Sequence, residues 1–338
     1  MPIEELVKIG QILGNRYEIT KKLGQGGCGT VYECLDTVAN VRAALKVEAN
    51  DDINGTALKM EIEVLTRLKN KRNVAKIISC GNMRKYSYFI MTLLGKSLST
   101  LSSECGAFKP GTLARIGAQV LFGLKNLHEA GFVHRDVKPA NLAIGRKHVM
   151  IKVVHILDFG LCRELANFKG NISNYTRARK VALFRGTFRY CSLNAQKQKE
   201  QGRHDDLISL AYVLAECIDY LPWAEFSDKL EIALFKQQTK DSELFPSHDS
   251  LANFLTYAKS LSYEDKPDYE KCFLFFDKII EENRLKFSDP YDWETLFGEE
   301  EEPVITNSRE IKDIHPVYVY KKSHLNDIYC RENFKNKE

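Results

Sequence analysis

Apolar and polar residues alternate through much of the first ninety positions at the two-residue period of strands. Arg16-Tyr17-Glu18-Ile19-Thr20 runs into a glycine turn, and Thr30-Val31-Tyr32-Glu33-Cys34 resumes the alternation. Ala43-Ala44-Leu45-Lys46-Val47 is a third short strand. Over residues 56–68 the period becomes helical, with Met60, Val64 and Leu68 on one face and Glu61 one step round from Met60. Residues 86–94 form a continuous apolar-aromatic run that ends at Gly95, read as a strand leading to a hinge. Beyond Gly95 helical spacing takes over. Leu113, Ile116, Val120, Leu121, Leu124 and Leu127 line one face of a long helix ending near Gly131. Residues 206–220 are apolar nearly all round, the pattern of a helix buried at the centre of a large lobe. Residues 251–263 and 269–282 predict two further helices. Periodicity fades after Trp293, and the acidic run at 298–303, closed by a proline, reads as the start of a tail.

At 338 residues the chain fits either one two-lobed unit or two small domains. Hydrophobic residues at 44% and charged residues at 28% are an ordinary globular balance. A formal charge of +4 is too small to argue for nucleic acid or a membrane surface. Nine cysteines, an odd number with no Cys-x-x-Cys pair, argue for a reducing compartment and against a structural zinc site. The first ten residues carry Glu4, Glu5 and Lys8, so they lack a signal peptide's apolar run. No stretch approaches the roughly 18 apolar residues of a membrane-spanning helix. The expectation is an intracellular protein, placed first in the cytoplasm with the nucleus left open.

Four motifs carry chemistry. Val133-His134-Arg135-Asp136-Val137-Lys138-Pro139-Ala140-Asn141 puts an Asn five residues past an Asp, so one carboxylate can take a hydroxyl proton while an amide helps hold a metal beside phosphates. Gly24-Gln25-Gly26-Gly27-Cys28-Gly29-Thr30-Val31 has the spacing Gly-x-Gly-x-x-Gly, whose missing Cβ atoms let backbone approach phosphate. Alone it decides little, since three glycines recur so spaced in roughly one chain in ten of this length. A dinucleotide fold would place a helix directly after the glycines, whereas Thr30-Val31-Tyr32 continues a strand. Lys46 lies seventeen residues past Gly29, and Glu61, fifteen further on and mid-helix, is its expected partner. Glu63 is the rival, but it points about 200° away from Glu61 around a helix. Asp158-Phe159-Gly160 follows an apolar run seventeen residues after Asn141, which leaves room for a hairpin bringing two oxygen ligands to one Mg²⁺.

Together these motifs resemble the eukaryotic protein kinases. Within them the chain is similar to the casein kinase I superfamily, and specifically to its tau-tubulin kinase branch. That finer likeness rests on Ser192-Leu193-Asn194 standing where most kinases have Ala-Pro-Glu. It rests also on Phe184-Arg185-Gly186-Thr187, on Gly202-Arg203-His204-Asp205-Asp206-Leu207 and on Leu221-Pro222-Trp223. The segment Ala224-Glu225-Phe226-Ser227-Asp228-Lys229 is less basic than such kinases usually have, so their phosphate-binding lysine is not carried over.

The resemblance implies an α+β, bilobal protein kinase-like fold. Residues 1–15 would be an N-terminal extension, 16–296 the kinase domain and 297–338 a C-terminal tail. Within the domain the N-lobe would span 16–91, the hinge 92–96 and the C-lobe 97–296. It implies a serine/threonine kinase using ATP and Mg²⁺ on protein substrates, with no nucleic-acid or membrane partner; the oligomeric state is left open. ATP would lie under Gly24, Gly26, Gly29 and Val31, with adenine against Ala44, Met91 behind it and the backbone of Leu93 and Leu94 bonding to it. Lys46, held by Glu61, would meet the phosphates, and Asn141 and Asp158 would hold the metal. Asp136 would be the base and Lys138 would support the transferred group. Thr187 would bond to both Asp136 and Lys138. His134, Phe159 and Leu65 would stack between the lobes. Arg185 and Arg189, with Arg177, Arg179 and Lys180 nearby, would favour acidic or phosphorylated sequences; a solvated basic loop is the plainer reading. The rival function is a silent scaffold that keeps the fold to bind partners, but Lys46, Asp136, Asn141 and Asp158 are all present.

Overall fold

A computed structural model describes residues 6–27, 29–50, 57–169 and 172–297. Six antiparallel strands make one sheet: β1 (Ile12–Leu13), β2 (Tyr17–Gly26), β3 (Gly29–Asp36), β4 (Val41–Ala49), β5 (Ile77–Asn82) and β6 (Tyr86–Thr92). Their order is β1-β2-β3-β4-β6-β5. Side chains on a strand alternate between faces, and here the alternation sorts them into two interiors. Ala43, Leu45 and Val47 of β4 join Tyr32, Cys34 and Ile90 in an outer cluster. Ala44 turns the other way and joins Phe89 and Met91 in the main core.

Helix α1 (Ala57–Arg67) follows β4. Its buried line is Leu58, Glu61, Val64 and Leu65, continued by Leu68. Met60 is only half-buried, so the face is turned relative to the one expected from apolar spacing, and Glu61 lies on the buried side itself. The packing partner explains this, because α1 lies against the segment Phe159–Leu161 as well as the sheet. Strand β6 stops at Thr92, two residues before the expected end, and Leu93 and Leu94 are half-buried and non-strand.

The second half is helical: α2 (Leu98–Cys105), α3 (Pro110–Glu129), α4 (Leu193–Gln196), α5 (Arg203–Glu216), α6 (Lys229–Gln238), α7 (Asp241–Leu244), α8 (Asp249–Ser260) and α9 (Tyr269–Glu282). Proline at the first position of α3 starts that helix at no cost in backbone donors. The six apolar residues expected on its face are at most 3% exposed. It packs against α5, α9 and the short strands at 132–133 and 154–156, so polar residues such as Arg115 and Asn126 are buried as well. Helix α5 begins three residues earlier than expected and ends at Glu216, leaving Tyr220 88% exposed. Helix α8 runs two to three residues ahead of its expected place, while α9 coincides with it. Asp268 caps α9, its carboxylate accepting from the Lys271 N–H at 3.0 Å.

Short strands carry the loops between the halves: β7 (Phe132–Val133) with β10 (Arg163–Glu164), β8 (Leu142–Ile144) with β9 (Val154–Ile156), and β11 (Ala166–Lys169) with β12 (Ile172–Tyr175). The predicted hairpin between Asn141 and Asp158 is the pair β8 and β9. The acidic run at 298–303 lies outside the described residues. Among the described residues no helix is long and apolar enough to cross a membrane. The observed architecture, a sheet-rich first part joined to a helical second part, is the bilobal α+β arrangement expected.

Candidate active site

The glycine hairpin joins β2 to β3, with Gly24 opposite Val31 and Gly26 opposite Gly29. Gly29 has φ +112°, and a Cβ there would lie 2.4 Å from the Val47 carbonyl oxygen, so only glycine fits. Gly24 and Gly26 have open space where a Cβ would be. Val31 pairs with Lys46 across β3 and β4, and Ala44 pairs with Met91 across β4 and β6. Opposed residues project on one side, so Val31, Ala44, Lys46 and Met91 share the face toward the helical lobe.

Lys46 is 5% exposed, and its Nζ donates to Glu61 Oε2 at 2.5 Å and to Asp158 Oδ1 at 2.9 Å. Burial would pull this ammonium down, but the charges of Glu61 and Asp158 outweigh it and hold it above its ordinary value. Burial likewise works to raise the Asp158 carboxyl, and Lys46 overrides it, leaving Asp158 below the usual aspartate value. Glu63 is exposed and pairs with Arg67 at 2.6 Å instead. Phe159 meets the His134 ring edge-on at 5.4 Å, and both Phe159 and Leu65 are core residues.

Below this pair lies the loop around Asp136. Thr187 Oγ1 donates to Asp136 Oδ1 at 2.7 Å, and Lys138 Nζ donates to Asp136 Oδ2 at 2.6 Å and to Thr187 Oγ1 at 3.2 Å. Asn141 donates through its amide to the Asp136 carbonyl at 2.9 Å and to Oδ2 at 3.2 Å. A carboxylate offers about four acceptor positions, so these three side-chain donors leave room for one more hydroxyl. Asn141 keeps its amide oxygen for another partner. Asp158, at φ 61°, sits in the left-handed region, where a non-glycine residue is strained, a state that clusters at functional sites. Gly186 has φ +109°, and a Cβ there would lie 2.3 Å from the Arg135 carbonyl oxygen. That glycine lets Thr187 reach the loop.

Sequence reasoning missed the residues that hold this loop in place. Asp206, 1% exposed in α5, accepts the backbone N–H groups of His134 at 2.8 Å and Arg135 at 2.9 Å, and bonds His128 at 2.8 Å. Burial would raise its carboxyl, but these partners, led by His128, hold it below the ordinary value. Next to it, Asp205 accepts from Ser192 Oγ at 2.5 Å and from the Gly202 N–H at 2.7 Å. The available signal was two adjacent aspartates in an otherwise apolar helix, which are expensive to bury unless hydrogen-bonded.

The basic residues expected to meet substrate divide into two groups. Arg179 bonds Glu200 at 2.5 Å, and Arg163 joins the same buried carboxylate at 3.0 Å. Arg189 reaches Glu216 at 3.1 Å and the Ala224 carbonyl at 2.6 Å. Arg177, Lys180 and Arg185 are exposed. Beside Pro139 a cavity of about 390 Å³ is lined by Ser99, Ser102, Arg189, Glu216 and Tyr220, among others.

Comparison with known proteins names this arrangement. Residues 17–285 match the protein kinase domain family. A serine/threonine-protein kinase of Caenorhabditis elegans is 41% identical over 295 residues, covering 86% of this chain and 85% of that one. One of Dictyostelium discoideum is 35% identical over 289 residues, covering 84% of this chain and 58% of its own. A casein kinase I of C. elegans is 31% identical over 299 residues, covering 84% and 85%. The names of all three are themselves provisional assignments. The chain belongs to the protein kinase family, and by homology it is a serine/threonine protein kinase that binds ATP.

Proposed function

We propose that the chain transfers the γ-phosphoryl group of ATP to Ser or Thr hydroxyls of protein substrates, with residues 16–296 as its catalytic unit. The observation that carries this reading is the convergence of Thr187, Lys138 and Asn141 on the Asp136 carboxylate, with Lys46, Glu61 and Asp158 paired nearby. ATP lies under Gly24, Gly26, Gly29 and Val31, its adenine between Val31 and Ala44 with Met91 behind. The backbone of Leu93 and Leu94 bonds the base. Lys46, kept in place by Glu61, binds phosphate oxygens.

Asp136 orients the acceptor hydroxyl and takes its proton, and Lys138 offsets charge on the transferring group. One amide oxygen on Asn141 and one carboxylate on Asp158 suit Mg²⁺, a hard cation that takes few protein ligands and completes its shell with phosphate and water. When bound, that ion would supply charge neutralisation at the phosphates. Within the family the chain belongs with the casein kinase I superfamily and its tau-tubulin kinase branch, a reading supported by Ser192-Leu193-Asn194 and by the casein kinase I-named relative.

Substrates are acidic or already phosphorylated, and the exposed Arg177, Lys180 and Arg185 support this. Arg189 takes part through its exposed edge, since its side chain is 42% accessible despite Glu216. A kinase assay on casein and a degenerate peptide library tests the whole reading. Transfer to Ser or Thr with acidic flanks is the expected result. Tight ATP·Mg binding with no transfer to any protein would instead leave a silent scaffold.

A further inference from the structure

We propose that Lys236 is a positioning residue for the acceptor polypeptide: its buried ammonium fixes the loop of residues 186–191 in the shape that seats a hydroxyl at Asp136. The inference rests on the phosphotransfer reading above and names a residue that no motif singled out.

Lys236 lies on α6 and is 2% exposed, an unusual place for a lysine. Its Nζ donates to the carbonyls of Phe188 and Cys191, each at 2.6 Å. The rings of Tyr212 and Trp223 lie 5.1 and 5.4 Å from the same ammonium, within cation–π range. Trp223 Nε1 donates to the Arg189 carbonyl at 2.8 Å, so three of the four carbonyls from 188 to 191 are held from beneath. A second lysine of α6, Lys229, lies 4.8 Å from the centre of the Phe188 ring. Phe188 is therefore gripped at its carbonyl and at its ring.

The loop so held carries Thr187, whose carbonyl accepts the N–H groups of Tyr190 and Cys191 at 3.0 Å and whose hydroxyl bonds Asp136. Because Thr187 bonds Asp136 directly, this loop borders the place where a hydroxyl would meet that carboxylate. Burial lowers the Lys236 ammonium to about 8, with Cys191 acting weakly in the opposite sense. An apolar side chain would fill the same space without that desolvation cost. What it could not supply is two charge-assisted bonds to the loop's carbonyls.

The test uses the full chain with Lys236→Met and Lys236→Arg, following steady-state kinetics for a phosphorylated peptide and for ATP. Hydrogen exchange across residues 186–191 and thermal melting are measured on the same samples. Lys236→Met should lower kcat/KM for the peptide by about 10- to 100-fold. KM for ATP should stay within roughly twofold, and exchange should quicken in 186–191. Lys236→Arg keeps charge and donors, and should recover part of both losses. Equal losses for peptide and ATP, or unchanged peptide kinetics and exchange in a folded Lys236→Met protein, would overturn the proposal. If the wild type phosphorylates no peptide, the kinase reading fails, while the exchange comparison still decides whether Lys236 holds the loop.

Discussion

The cluster around Lys46 and the cluster around Asp136 are both built from buried charge, yet they are anchored differently. Lys46 stands on a strand of the sheet, and Asp158, one of its two carboxylate partners, is 112 residues away. That ion pair joins the two lobes. Asp136 is held within the helical lobe by Thr187, Lys138 and Asn141, and the two residues before it are tied through their backbone to Asp206. The upper cluster depends on how the lobes sit together; the lower one depends on one helix and one loop. Side chains that bond backbone carry a geometry with them, whereas side chains that bond each other can part together.

The contrast can be broken most sharply at the lower cluster. Asp136→Asn should lower turnover on casein by about 10²–10⁴-fold, the usual weight of a positioned base. A near wild-type rate would remove Asp136 from the chemistry. Lys46→Met should cost about 10²–10³-fold in kcat/KM, as for the loss of one donor to developing charge.

Acid tests the hairpin that joins the two clusters, since strands β8 and β9 run between Asn141 and Asp158. His155 on β9 is buried, and burial draws its imidazole down to about 4, below the ordinary 6.5. An unfolded chain then binds more protons than the folded one between those values. Stability should fall as pH drops from about 6.5 toward 4, by about 1.4 kcal/mol per pH unit inside that window. Urea unfolding midpoints would read this, and His155→Gln should flatten the slope. An unchanged slope would show that another group controls acid unfolding.

Smaller effects sharpen the upper cluster. Glu61→Gln should cost about tenfold in kcat/KM, because Asp158 still holds Lys46. Glu63→Gln should stay within about twofold, as expected of an exposed helical pair. Comparable losses from the two variants would show that the 2.5 Å contact with Glu61 is not what orients Lys46. The mildest change is selective: Arg185→Glu should lower activity several-fold on acidic peptides and spare neutral ones. Parallel loss on both would leave Arg185 a solvated loop residue.

These differences follow what local pattern can and cannot encode. The kinase resemblance implies that a carboxylate of the following helix holds Lys46, and helix geometry then favours Glu61 because Glu63 falls on another face. Thr187 was legible only through its resemblance to a known pattern, since Gly-Thr alone is an ordinary turn. Asp205 and Asp206 stand where the helix expected over residues 206–220 begins, and local pattern does not reveal that both carboxylates are buried against a distant loop. The helix itself begins three residues before its expected start, taking in Arg203, His204 and Asp205. The basic loop looked like a single patch because its counter-charges, Glu200 and Glu216, arrive from segments whose distance in space is invisible in a linear chain. Lys236 left no trace in periodicity at all.

Strand β4 serves two interiors at once, with Ala43, Leu45 and Val47 facing one and Ala44 and Lys46 the other. Inserting or deleting one codon within it would exchange the two sets. A lysine would then point into the outer apolar cluster and a leucine would stand against Glu61 and Asp158. Residues 37–40, the turn between β3 and β4, are exposed and bear no such double duty. Changes of length accumulating in this gene should therefore be found in that turn and be absent from the nine residues that follow it.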